Sequence, residues 1–260
     1  MAEFLRGRVS DRRFWLFAAA CCRRVWGLLR DDRSRHAVEA AERVADGLAT
    51  EAERLAAVGE ACLATHGGKE QAARQGQLEA WRSSSAYHAA HAAAYAADSS
   101  GPWDFAFLHS DKALRHRDGR IRSAAQALRE GPNYVHHPDK GVRSALYAAC
   151  AYGGAVGAPM GEELAAQCVL LRCIVGNPFR PSAIDPLWLA WNGGAVSKLA
   201  RAAYEERRLP SGELDPARLA VLADALEDAG CADAELLGHL RGPGPHVRGC
   251  HALDAIMGKG

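Results

Sequence analysis

The sequence predicts an all-α fold, and two observations carry that prediction. The chain has 53 alanines but only 19 β-branched residues, namely 13 Val, 4 Ile and 2 Thr. Alanine is the best helix former, whereas β-branched side chains favour the pleated surface of a sheet. No stretch alternates apolar and polar residues between hairpin turns. At 260 residues the chain can bury a sizeable core. The expected architecture is one compact domain of roughly eight to ten helices. It divides by texture into a basic N-terminal segment (1–66), an alanine-rich middle (67–158) and a C-terminal subdomain (159–260).

The first helix starts at Ser10, a good N-cap residue, with Asp11 at the positive end of the dipole. Phe14, Trp15, Phe17, Ala18, Cys21, Cys22, Val25, Trp26 and Leu29 recur at spacings of three and four, so they mark a buried face. A second helix is expected over 34–48. A third starts at Thr50, where Thr50 and Glu53 have capping-box spacing, with Leu55, Val58 and Cys62 as its stripe and Gly67-Gly68 as its end. From Ala80 to Ala97 nine of eighteen residues are alanine, which reads as a helix able to pack closely; this middle part is expected to be the more exposed one. Helices are also expected over 111–130 and 139–152, separated by an exposed loop from Gly131 to Pro138.

In the last third, 162–175 reads as a buried helix through Leu164, Cys168, Leu171 and Val175, closed by Gly176. Pro178 and Pro181 keep the next segment out of helical geometry. A helix over 195–208 follows, then one opened by Asp215 as N-cap with Pro216 at its first position, closed by Gly230. Two short helices, 234–240 and 247–257, flank the Gly242-Pro243-Gly244-Pro245 hinge.

Composition excludes several classes. The net charge of +1 rules out a strongly basic nucleic-acid-coating protein. No run approaches the roughly 18 apolar residues of a spanning helix, and Arg12 and Arg13 interrupt any signal-peptide core, so a cytoplasmic protein with no membrane partner is expected. Eight cysteines in a chain of this size, several within apolar helical runs, read as reduced thiols. The 27 Arg against 5 Lys, together with the alanine content, follow the codons of a GC-rich genome.

Two blocks carry a resemblance. One comprises Phe4-Leu5-Arg6-Gly7, Cys21-Cys22-Arg23-Arg24, Trp26 and Ser34-Arg35. The other runs from Gly176-Asn177-Pro178-Phe179-Arg180-Pro181 through Leu222–Cys231 to Leu240–Cys250. Together they resemble a paralogous family of uncharacterised proteins expanded in planctomycete bacteria. The similarity covers about residues 4–50 and 165–260 and implies a fold and a lineage, with no activity to carry over. The Leu222–Gly230 run also resembles the short domain that accompanies repeats in those bacteria, which implies an interaction role. In such proteins a Trp usually follows the position of Cys250; here His251 does.

Chemistry-bearing residues are sparse. Cys231, His239, His246, Cys250 and His251 form the sharpest constellation, and four of them, Cys231, His239, His246 and Cys250 first, can close a tetrahedral zinc site across the hinge. Their spacing matches no familiar finger, so core cysteines and a helix-end histidine are the alternative. His88 and His91, three apart on a helix with Tyr87 and Tyr95 beside them, are a weaker pair for a metal, haem or flavin; plain surface histidines are the alternative.

Residues 1–35 carry nine Arg against four acids, so Arg12, Arg13, Arg23 and Arg24 can grip nucleic acid. The alternative is a core helix whose arginines pair with the acids of 201–240, a stretch of nine acids and four arginines. Arg241 and Arg248 flank the hinge as a possible anion site, though Pro243 and Pro245 lack N–H donors. Vicinal Cys21 and Cys22 are read as one core and one interfacial thiol, with a redox role only if Arg23 and Arg24 depress a thiol. Protease, hydrolase, deaminase and dinucleotide motifs are absent. The leading expectation is therefore a non-enzymatic interaction or scaffold module with an unidentified protein partner, using a helical face or the Gly131–Pro138 loop. A zinc-binding protein is the second reading and a nucleic-acid binder the third.

Overall fold

Nine α-helices, one 3-10 turn and no strand make up the regular structure of residues 9–77, 85–97 and 160–259, the parts that the computed structural model describes. The helices are α1 (Asp11–Arg24), α2 (Asp32–Ala45), α3 (Glu51–Arg74), α4 (Ser85–Ala97), α5 (Met160–Val175), α6 (Pro186–Glu205), α7 (Pro216–Asp228), α8 (Ala234–Leu240) and α9 (His251–Met257). The all-α expectation holds. The loop at 131–138 and the helices expected over 111–130 and 139–152 lie outside the described residues.

Helix α1 lies at the centre. Its Phe17, Cys21 and Cys22 share one apolar core with alanines of α4, with Leu170 and Ile174 of α5, and with Leu222, Leu236 and Leu253 further on. That breadth explains why the helix is apolar around so much of its circumference. Cys21 and Cys22 are both fully buried, and burial pushes the Cys21 thiol well above its ordinary value. Neither thiol is interfacial, which corrects the sequence reading, and the raised Cys21 is the reverse of the depressed thiol that a redox role needs. Ser10 precedes the helix as expected but makes no capping bond with its side chain. Asp31 caps α2 instead, accepting from the Arg33 N–H at 2.9 Å.

The capping box at Thr50 forms: Glu53 accepts from the Thr50 N–H at 2.7 Å, and the Thr50 hydroxyl accepts from the Glu53 N–H at 3.2 Å. Two expectations for α3 fail. The helix runs through Gly67-Gly68 to Arg74, because a helical glycine costs only about 1 kcal/mol, less than packing can return. It thus crosses the 66/67 boundary read from texture. Leu55 and Cys62 face outward, while Arg54, Ala57 and Ala61 are buried. The close approach of Ala37, Ala41, Ala61 and Ala97 decides that face: small side chains let backbones meet where Leu would not fit. For the same reason α4 is internal, with Ala89, Ala92, Ala93, Ala96 and Ala97 all buried, so this part of the middle is not exposed.

In the C-terminal part, Gly176 takes φ +66° and ends α5. Helix α6 starts earlier than expected, at the Asp185 N-cap, and breaks at Trp191–Gly194 before continuing. Helix α9 starts at His251 rather than 247, because Val247 makes an isolated antiparallel bridge to Glu213 and Gly249 takes φ +86°. A Cβ on Gly249 would stand 2.7 Å from a methyl of buried Leu16. Gly249→Ala is therefore expected to cost about 2–4 kcal/mol, from left-handed strain plus a core clash. Urea denaturation checks this; an unchanged midpoint would contradict the packing described.

Candidate metal centre

Three separate elements deliver four donors to one point. Cys173 comes from the last turns of α5, His239 from the end of α8, and His246 and Cys250 from the segment joining α8 to α9. Their ligating atoms all lie within 4.8 Å of one another. His239 Nε2 stands 3.2 Å from Cys250 Sγ, and Cys173 Sγ stands 3.9 Å from His246 Nδ1. A tetrahedral zinc with bonds of about 2.3 Å to sulfur and 2.0 Å to nitrogen wants its donors roughly 3.3–3.8 Å apart. These two sulfur–nitrogen separations lie close to that range, so the four residues could hold the ion.

Local structure aims each donor. The Gly244–Pro245 hinge, with Gly244 at φ +77°, folds the chain back so that His246 returns over α8. The His246 carbonyl accepts from the Leu214 N–H at 2.8 Å, pinning the segment to its neighbour. The His246 ring is oriented from behind. Its Nε2 lies 3.2 Å from the Gly242 carbonyl, which can only accept, so Nε2 carries a proton there and Nδ1 is the nitrogen turned toward the cluster. His239 offers Nε2, and its ring meets that of His246 edge-on at 4.7 Å. Cys173 and Cys250 are buried free thiols.

The electrostatics favour one thiolate even before an ion arrives. Burial acts to raise Cys250, but hydrogen bonds from Cys173, His239 and His246 outweigh it and hold that thiol well below its usual range. The Cys173 thiol, donating to Cys250 and buried, is pushed up. For His246, burial acts downward, but its bond to Cys250 prevails and raises it. A cation held by these four residues would take the place of this mutual donation, with the protons of the ligating atoms released to solvent.

Sequence reading found three of these donors and missed the fourth. Cys173 sits in the apolar run Leu170-Leu171-Arg172-Cys173-Ile174-Val175, where a cysteine reads as core, and no local spacing connects it to His239. Cys231, expected as a ligand, is not in the cluster. It follows Gly230 after α7, its N–H is held by the Leu226 carbonyl, and burial pushes its thiol up. His251 stands behind the donors rather than among them: its Nδ1 lies 3.0 Å from the Cys173 carbonyl, and burial keeps its imidazole below the ordinary range.

The remaining candidates lie elsewhere. His91 is buried in α4 and belongs to no metal-binding cluster among the described residues; the side chains of His88, Tyr87 and Tyr95, and the His136-His137 loop, lie outside them.

Arg12, Arg23 and Arg24 of α1 are committed internally, but not to the acids of 201–240. Arg12 donates to Asp46 at 2.9 Å, to Asp254 and to the Tyr204 oxygen at 2.9 Å. Arg23 grips Glu42 and donates to the Pro210 carbonyl at 2.9 Å, and Arg24 grips buried Glu163 at 2.8 Å. Arg13 acts electrostatically on His251 and Asp254. Arg248 lies 3.3 Å from Asp46, while Arg241 makes an exposed pair with Asp224 at 2.6 Å. The acid partners of α1 thus come from α2, α5 and α9, because those helices are its neighbours in space. In Arg12, Arg23 and Arg24 the guanidinium is already held by a buried carboxylate.

No family model, curated protein or solved structure matches this chain at a significant level. Among the described residues no helix is long and apolar enough to cross a membrane.

Proposed function

We propose that this protein is a non-enzymatic helical scaffold module whose C-terminal part is closed by a structural zinc ion on Cys173, His239, His246 and Cys250. The observation that carries the reading is the convergence of two thiols and two imidazoles, from three separate elements, within 4.8 Å. Two sulfur and two nitrogen donors suit zinc, whereas magnesium and calcium prefer oxygen. Four protein donors leave no open position for water or substrate, which favours a structural over a catalytic role. The ion would tie α5 to the α8–α9 segment.

The test is metal analysis of protein purified without chelator or affinity metal, followed by cobalt substitution. The expected result is about one zinc per chain and, with cobalt, the intense visible d–d bands and thiolate charge-transfer band of a tetrahedral S₂N₂ site. A metal-free protein that takes up neither ion would end this reading.

A further inference from the structure

Resting on the metal reading above, we propose that His251 is the positioning residue of this centre, holding Cys173 and His239 in register while ligating nothing itself. Three contacts place it there. Its Nδ1 lies 3.0 Å from the Cys173 carbonyl; a carbonyl only accepts, so Nδ1–H donates and fixes the backbone that carries the Cys173 sulfur. Its ring packs on the His239 ring, centroids 4.2 Å apart and planes 53° apart, limiting the swing of the imidazole that offers Nε2. It is also covalently next to Cys250, so one side chain touches, stacks on or adjoins three of the four ligand residues.

The seat for that ring is built into α5. Gly176 takes φ +66° at the helix end, and a Cβ there would lie 2.6 Å from His251 Cγ. The glycine thus serves twice, ending the helix and leaving room for an imidazole beside the cysteine it serves. A histidine that only filled core space would need neither the directed bond nor the contact with a second ligand.

Outer-sphere partners of this kind are worth roughly 10–100-fold in metal affinity. The experiment measures cobalt and zinc affinity of the full chain by competition with a chromophoric chelator, in wild type, His251→Phe, His251→Asn and His251→Gln. Phe keeps a ring on His239 but loses the donor. Asn places an amide N–H where Nδ1 stands, whereas Gln places it about one bond further out. The expected result is a roughly 10–100-fold loss for Phe and Gln, with shifted cobalt d–d bands, and substantial recovery for Asn. Far-UV circular dichroism and melting of the metal-free proteins accompany each titration.

Wild-type affinity and spectrum in His251→Phe would overturn the proposal. So would equal losses in Asn, Gln and Phe that track the melting of the metal-free proteins, since that is the mark of a packing role. Should the Phe variant not fold, the Asn–Gln comparison decides the matter alone. Failure of the wild type to take up cobalt or zinc would instead bring down the metal reading itself, and this inference with it.

Discussion

Cys250→Ser and Cys173→Ser are each expected to remove zinc from the purified protein, while Cys231→Ser retains it at the wild-type level. The contrast follows from the geometry, because Cys173 and Cys250 belong to the four-donor cluster and Cys231 does not. The expected effect on stability is large. Structural zinc binds with an apparent free energy of about 10–16 kcal/mol at neutral pH, as much as the whole stability of many domains. A ligand that no longer closes the sphere forfeits a substantial share of this.

The C-terminal part should therefore melt well below the wild type, and a strong chelator should lower the melting temperature of the wild type but not of the two ligand variants. Metal analysis and thermal melts with and without chelator measure both effects. Zinc loss in Cys231→Ser with retention in Cys173→Ser would show that the cluster is assembled otherwise than described.

Glu42 is expected to be the most destabilising single carboxylate to neutralise. Its side chain is 3% exposed and is shared by two guanidiniums, Arg23 and Arg207, at hydrogen-bond distances of 2.5–2.8 Å. Arg23 also lies over the Trp26 ring at 4.7 Å. Removing the carboxylate charge leaves two largely buried cations facing each other, so Glu42→Gln should cost about 3–5 kcal/mol in urea denaturation at pH 7. Arg207→Met should cost less, because Arg23 still satisfies Glu42.

A pH dependence follows from the same site. Burial pushes the Glu42 carboxyl up, but hydrogen bonds from Arg23 and Arg207 outweigh it and bring it down to about 2, against an ordinary value of 4.5. A carboxyl depressed in the folded state contributes stability that is fully present above its unfolded value and is lost as pH falls through the folded one. The Glu42 contribution, on the order of 3 kcal/mol, should thus hold above about pH 4.5 and disappear towards pH 2. The difference in stability between wild type and Glu42→Gln should narrow over that window. A constant difference down to pH 2 would show that the pair does not act through charge.

Nearby, Asp46 and Asp254 share Arg12 but differ in character. Burial pushes both up. For Asp46, bonds from Arg12 and Tyr204, with Arg248 and Lys259 close by, reverse the effect and hold it below the ordinary carboxylate range. For Asp254 burial prevails over Arg12, and the carboxyl stays raised. The two acids tie the two ends of the chain together: Arg12 opens one side of the network and Lys259, 3.4 Å from Asp46, closes the other.

Much of this was legible in the chain. Alanine abundance and scarce β-branched residues determined an all-helical fold, and the local devices at Thr50–Glu53, Asp215-Pro216 and Gly176 determined where particular helices begin or end. His239, His246 and Cys250 stood out because a hinge separates them by few residues, so their meeting is a local event. What only the tertiary structure decided is the identity of each long-range partner. Cys173 rather than Cys231 completes the cluster, and Glu42, Asp46, Glu163 and Asp254 rather than the acids of 201–240 receive Arg12, Arg23 and Arg24.

The same holds for which side of α3 is buried, set by alanines that meet across helices and not by its own leucines. Helix periodicity reports that a face is buried, and residue type reports that a charge or thiol needs a partner. Neither reports which partner, because that depends on how close two helices approach, and the approach is set by the packing of side chains far apart in the chain.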